Sequence, residues 1–256
     1  MEFQPVELFY TEQGQGTPVI LVHGFPFDHT IWQPLLPLLE PHARLIMPDV
    51  RGFGQSPVTE GVYSMRLLAE DLVQFIDRLG LEKVVLVGHS MGGYISLAFA
   101  QAYPGRLLGL GLVATQAAAD TPERRQGRLK TASSVKRRGV KVVAQSMGPK
   151  LTAKAELAQP LFDLMMRSNR PAVIGALQGM AERSDLTGDL SKIMVPAVVV
   201  AGGADQFLTL DNQRTMAQML PKGWLVEIPD GGHMPMLENP ELVADSIHQL
   251  VHMVKE

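Results

Sequence analysis

Between two apolar segments of this chain stands Gly88-His89-Ser90-Met91-Gly92-Gly93. Before it runs Lys83-Val84-Val85-Leu86-Val87, a short β-branched stretch that predicts a buried strand. After it, Met91 to Tyr103 carries no charge and spaces its apolar residues like a buried helix. A Gly-x-Ser-x-Gly between a strand and a helix holds the serine on a strained turn and lifts its hydroxyl from the sheet edge. Gly88 and Gly92 leave room where a Cβ would clash, and the backbone N–H of Met91 stays free to bind an oxyanion. The pattern by itself is weak; the strand and helix around it carry the inference.

A chain of 256 residues, 46% hydrophobic and 19% charged, has the size and balance of one α/β domain. A net charge of −3 gives no reason to expect nucleic acid or an anionic membrane as a partner. The absence of cysteine excludes disulfides, thiolate metal sites and a cysteine nucleophile. No run approaches the roughly 18 apolar residues of a membrane span. The opening residues, Met1 to Glu7, lack the basic start and apolar core of a signal peptide, so the expected location is the cytoplasm. A processed secreted chain would read the same way.

Strand-like and helix-like signals alternate in two regions. Strands are predicted at residues 6–11, 19–23, 45–48, 83–87, 107–114, 195–202 and 224–228. A turn is predicted at residues 12–16. Helices are expected at residues 31–39, capped by Thr30, and from Ser64 to Gly80, where Leu68, Leu72, Phe75 and Ile76 share one face. Further helices follow at residues 91–103, 210–220 and 240–254. The alternation predicts a mostly parallel sheet covered by helices on both faces. Residues 1–114 and 192–256 would form this core domain. Residues 115–191 show no strand signal and read as a helical cap inserted over the carboxyl ends of the strands, where such sheets bind ligands.

A serine hydroxyl needs an adjacent base, and the base needs an orienting group. Downstream of Ser90, Val198-Val199-Val200-Ala201-Gly202-Gly203-Ala204-Asp205 is a strand that runs into a glycine turn and a carboxylate. Val226-Glu227-Ile228-Pro229-Asp230-Gly231-Gly232-His233 is a second strand that ends in a histidine. Each polar residue follows the carboxyl end of a strand, the edge that also carries Ser90. Asp205 and His233 are therefore the expected partners. Asp230 is the rival acid, disfavoured because a tight glycine turn keeps it from the imidazole. The second oxyanion donor is expected from His23-Gly24-Phe25-Pro26-Phe27: Gly24 lets the loop turn back, Pro26 has no N–H, and Phe25 is the natural donor. His23 reads as a structural hydrogen-bonder rather than a base.

These segments, with Asp49-Val50-Arg51-Gly52-Phe53-Gly54-Gln55-Ser56, resemble the α/β-hydrolase superfamily over nearly the whole chain apart from the cap. The resemblance implies the α/β-hydrolase fold and gives Arg51 a structural part beside the site. Ser90 argues against the haloalkane dehalogenase and epoxide hydrolase branches, which place an Asp on the elbow. Within the serine branch the chain is similar to small carboxylesterases, enol-lactone hydrolases and cofactor-free haloperoxidase-like enzymes. The segment from Ala176 to Asp185 resembles the enol-lactonase group, which usually carries an Asn-Ser type sequence where this chain has His23-Gly24.

The expected reaction is hydrolysis of small to medium, largely apolar acyl esters through an acyl-enzyme, with no metal or organic cofactor. Lactone hydrolysis, acyl transfer and perhydrolysis on the same triad are the alternatives, and a ligand-sensing protein without catalysis is a further one. Phe162, Met166 and Met180 are candidate pocket residues, with Leu161, Met165 and Leu177 beside them. From Arg124 to Lys141 there are eight Lys or Arg and no Asp or Glu. This run reads first as a solvated helix face; recruitment of an anionic substrate or an acidic acyl carrier is the alternative. His248 and His252 lie at helical spacing without a third ligand and read as surface residues.

Overall fold

The apolar runs become the middle of a seven-stranded sheet. The computed structural model describes residues 5–255. The segment that argues against a leader lies partly outside them, at residues 1–4. The strands are β1 (Tyr10–Gln13), β2 (Pro18–Val22), β3 (Arg44–Pro48), β4 (Val84–His89), β5 (Leu107–Val113), β6 (Ala197–Gly202) and β7 (Gly223–Ile228). Their order is β1-β3-β2-β4-β5-β6-β7, with β1 antiparallel to β3 and every other neighbouring pair parallel. The helices are α1 (Leu36–Leu39), α2 (Met65–Arg78), α3 (Met91–Ala102), α4 (Pro122–Arg138), α5 (Lys141–Met147), α6 (Ala155–Met166), α7 (Arg170–Ala181), α8 (Leu210–Met219), α9 (Pro235–Glu238) and α10 (Pro240–Met253).

Strand β2 shows why these runs are apolar at every position. Ile20 and Val22 join one core with α2 and α3; Val19 and Leu21 join the other with α10, Trp32 and Leu35. Both faces are dry, so neither set of alternating side chains is polar. Helix α2 begins and ends as its sequence predicts. The Ser64 hydroxyl accepts the Leu67 N–H at 3.1 Å. Gly80, at φ +67°, turns the chain so that the Gly80 and Leu81 N–H groups reach Asp77 and Ile76 carbonyls.

Two local expectations are corrected. The first strand begins at Tyr10 rather than residue 6, because only Tyr10 to Gln13 meet β3, in the register Tyr10↔Pro48 to Gln13↔Leu45. That register draws Glu12 and Gln13 out of the expected turn. The helix expected at residues 31–39 starts as a 3-10 helix, His29–Leu35, and only then becomes α1. Pro34 lies inside the 3-10 segment and lacks an N–H for an α-helical bond. The cap is Asp28, whose Oδ1 accepts the Thr30 N–H at 2.9 Å, not Thr30 itself.

The segment between β5 and β6 holds α4 to α7 and two 3-10 turns, Gly148–Lys150 and Thr187–Lys192, with no strand. Val135, Val143, Ala176 and Met180 of this segment merge with the first core of the sheet, and Leu151, Leu161 and Met165 with the second. The insert therefore shares a core with the sheet and does not fold around one of its own. The strand order reverses between β2 and β4, since β3 leaves β2 on one side and β4 lies on the other. A crevice opens at the carboxyl ends of the strands at such a point. Val22 pairs with Gly88 there, so the loop after β2 and the turn after β4 start side by side.

Candidate active site

Ser90 follows β4 directly and has φ +52° and ψ −110°, a strained conformation for a residue with a Cβ. Two contacts hold it there: the Ser90 N–H donates to the Val113 carbonyl at 2.9 Å, and the Thr115 hydroxyl donates to the Ser90 carbonyl at 2.8 Å. The turn also requires bare backbone around it. A Cβ on Gly88 would lie 2.2 Å from the Gly92 carbonyl oxygen, and one on Gly92 would lie 2.2 Å from that of Val22.

Beyond β6 and β7 the chain returns to the same edge. The Gly203 N–H donates to the Ile228 carbonyl and the Ala204 N–H to that of Gly231, so the two turns are bonded to each other. Asp205 and His233 meet as a result. His233 Nδ1 lies 2.7 Å from Asp205 Oδ2, and His233 Nε2 lies 2.9 Å from Ser90 Oγ. Asp205 Oδ1 accepts the Phe207 and Leu208 N–H groups at 2.7 and 3.2 Å, which fixes the carboxylate. The network calls for a proton on Nδ1 and leaves Nε2 to accept from the serine. Asp205, rather than Asp230, is the acid that reaches the imidazole, and both ring and carboxylate are buried.

Phe25 lines one cavity with Ser90, and Met91 follows the serine directly. Among the described residues neither backbone N–H has an acceptor in the protein; Met91 is the first residue of α3, where no intrahelical partner exists. The Phe25 loop is held by the Phe27 N–H on the Gly24 carbonyl and by the Ser168 hydroxyl on the Pro26 carbonyl at 2.6 Å. His23 is wholly buried: its Nδ1 donates to the Gly24 carbonyl and its Nε2 accepts the Val50 N–H at 2.9 Å. Burial lowers its pKa against the pull of Asp49, in keeping with a structural part. Arg51 holds Asp71 of α2 through two bonds of 2.6 and 2.7 Å, which ties the loop after β3 to the sheet's covering helix.

Sequence reasoning missed two supports. His89 donates from Nε2 to the His233 carbonyl at 2.7 Å, and burial, reinforced by the neighbouring His233 ring, holds its pKa well below the ordinary histidine value. The buried Glu238 accepts the Gly232 N–H on Oε2, and the Ala153 N–H and Thr152 hydroxyl on Oε1, each at 2.7 Å. With the His233 N–H on the Leu151 carbonyl, Glu238 fastens the histidine turn to the insert. No local pattern marks Glu238: Thr152 and Ala153, two of the residues it binds, are remote in sequence.

A cavity of about 430 Å³ opens beside Ser90 and His233. Phe25, Leu177 and Met180 line it with Phe207. Phe162 and Met166 do not line it, which corrects the expectation for both. Helix α6 turns Leu161 and Met165 into the second core, and the i, i+4 pair one step round the helix faces elsewhere. Phe162 packs at the rim of that core and Met166 is exposed.

Among the described residues, Asp28, His29 and Asp49 form the group whose side chains come close enough to share a cation, with ligand atoms within 4.8 Å of one another. Asp28 caps Thr30, and Asp49 Oδ1 already accepts from both the backbone N–H and the ring of His29. These atoms serve the loop structure. The His248 ring stacks on His42 at 4.1 Å.

A family model described as the alpha/beta hydrolase fold matches residues 17–240. The chain belongs to this α/β-hydrolase family. A thermophilic esterase from Thermogutta terrifontis, solved with malate bound, is 38% identical; the alignment covers 98% of this chain and 95% of that one, with a TM-score of 0.95. A 3-oxoadipate enol-lactonase 1 from Acinetobacter baylyi is 26% identical over 87% of this chain and 84% of that protein. A bromoperoxidase from Bacillus anthracis, 20% identical, covers 97% of this chain and 96% of its own with a TM-score of 0.86, a likeness of fold alone. The esterase and the enol-lactonase match two of the groups named from the motifs. Among the described residues no helix is long and apolar enough to cross a membrane.

Proposed function

We propose that this α/β-hydrolase cleaves carboxylic esters of small to medium acyl chains through a serine acyl-enzyme. The observation that carries the reading is the chain Ser90 Oγ, His233 Nε2 and Nδ1, Asp205 Oδ2, with links of 2.9 and 2.7 Å. Ser90 Oγ attacks the ester carbonyl carbon while His233 Nε2 takes its proton. The Phe25 and Met91 N–H groups stabilise the oxyanion, each contributing about 3–4 kcal/mol to the barrier reduction. The C–O bond to the alcohol breaks as His233 returns the proton to the leaving oxygen. Water, deprotonated by His233, then attacks the acyl-enzyme and releases the acid and the free serine. Asp205 keeps the imidazole in the required tautomer throughout and stabilises its charged form. The cavity volume suits an ester of this size.

The test is turnover of p-nitrophenyl esters. Ser90→Ala should lower kcat by about 10⁴-fold or more while the protein stays folded. Turnover that survives the substitution sinks the mechanism.

A second reading, lactone hydrolysis, draws support from the enol-lactonase relative. It uses the same acyl-enzyme, as would acyl transfer or perhydrolysis. A panel of esters and lactones, with alcohol or peroxide as competing acceptor, ranks these by kcat/KM. A ligand sensor would bind such compounds without turning them over.

A further inference from the structure

The basic run on α4 splits into two groups. Arg124 and Arg128 line the cavity beside Ser90, together with Gly127 and Thr131, at the i, i+3, i+4, i+7 spacing of one helix face. Lys136, Arg137 and Arg138 lie off it and are exposed. Lys150, after α5, adds a third cation to the wall, and no Asp or Glu lines the cavity. Beneath the wall lies Asp120, buried to 1% side-chain exposure. It meets Arg128 Nε at 2.5 Å and Arg183 at 2.8 Å, with Arg124 at 3.7 Å. One carboxylate shared among three guanidiniums cannot neutralise the two that face the cavity. Lys150 has no acidic partner among the described residues.

Asp120 fixes the Arg128 fork, and Arg128 Nη1 lies 3.4 Å from the Met180 sulfur on the adjoining α7. Phe25, Val143, Leu177 and Phe207 supply apolar lining, beside the hydroxyl-bearing Tyr94, Thr131 and Ser146. A pocket with a nucleophile, apolar walls and a cationic wall fits a ligand with an ester, an apolar linker and an anion. We infer that the preferred esters carry a second, free carboxylate, received by Arg124, Arg128 and Lys150. A planar guanidinium fork matches a carboxylate in two-point contact, and the apolar surroundings strengthen it. This replaces the expectation of a largely apolar substrate, and it rests on the ester-hydrolysis reading above.

Two esters that differ only in the far group test it: p-nitrophenyl hydrogen adipate, which is anionic, and p-nitrophenyl methyl adipate, which is neutral. At low ionic strength kcat/KM for the anion should exceed that for its neutral twin by roughly tenfold, and added salt should narrow the ratio. The double variant Arg124→Gln, Lys150→Gln should bring the ratio towards one. Arg137→Gln, on the same helix but off the cavity, should leave the ratio as it is. A wild-type ratio of one or less overturns the inference while leaving ester hydrolysis intact. If neither ester is turned over, the hydrolysis reading fails, and calorimetry on Ser90→Ala protein with monomethyl and dimethyl adipate decides the charge preference. Tighter binding of the monoanion upholds the cationic wall; equal or weaker binding removes it.

Discussion

Each polar residue proposed for chemistry stands where a strand ends: Ser90 after β4, Asp205 after β6, His233 after β7. That is why these three were legible in the sequence, since a strand followed by a glycine turn places its next polar residue at the sheet edge. The residues that hold them were not legible. His89, Thr115 and Glu238 act through bonds to His233, Ser90 and residues 152–153, contacts that no local pattern announces. Glu238 makes the sharper prediction. In Glu238→Gln the amide keeps one acceptor oxygen and turns an NH₂ towards N–H donors, so at least one buried bond is lost. The cost should be about 1–3 kcal/mol, read as a lower denaturation midpoint in urea. An unchanged midpoint would show that the turn and the insert hold together without it.

At the scale of elements, periodicity placed the central strands and α2 within a residue or two, because both depend on which faces are buried. The edge strand and the first helix were misplaced. Pairing with β3 moves the strand from residues 6–11 to Tyr10–Gln13, and the Asp28 carboxylate, not Thr30, caps the 3-10 helix that holds Pro34. Phe162 and Met166 illustrate a related limit: an apolar residue on an amphipathic helix has several apolar places to go, and only packing chooses. The elbow, by contrast, admits one arrangement. Gly92→Ala sets a methyl 2.2 Å from the Val22 carbonyl oxygen, backbone against backbone, where neither rotates away. It should cost about 3 kcal/mol or more and take activity with it. A variant with native melting behaviour and full turnover would contradict the close approach of β2 and α3.

For the whole molecule, three histidines set how stability responds to acid. Burial lowers the His89 and His23 pKa values from the ordinary histidine value of about 6.5, so between that value and the folded one the unfolded chain binds more protons. Their contribution is lost as pH falls below about 6.5. His29 runs the other way: its bond to Asp49 outweighs partial burial and raises its pKa, adding stability that fades as pH rises. Two fully buried rings outweigh one partly exposed ring, so the Tm should fall from about pH 7.5 to about pH 5.5. His29→Gln should steepen that fall. A Tm that rises towards acid would reverse the assignment of neutral, buried rings.

The sequence by itself determined the α/β-hydrolase fold, the Ser90, Asp205 and His233 order, and the loop that offers Phe25. All of these follow from local alternation of strand, turn and helix, which the chain carries in its own periodicity. Tertiary structure decided what the crevice is lined with. It turned Arg124 and Arg128 inward and Lys136 to Arg138 outward, sent Met180 to the cavity and Leu161 to the core, and joined the His233 turn to the insert through Glu238. Those choices depend on how helices dock across the sheet edge, on contacts between residues far apart in the chain. A basic or apolar helix face does not by itself name the neighbour it will meet.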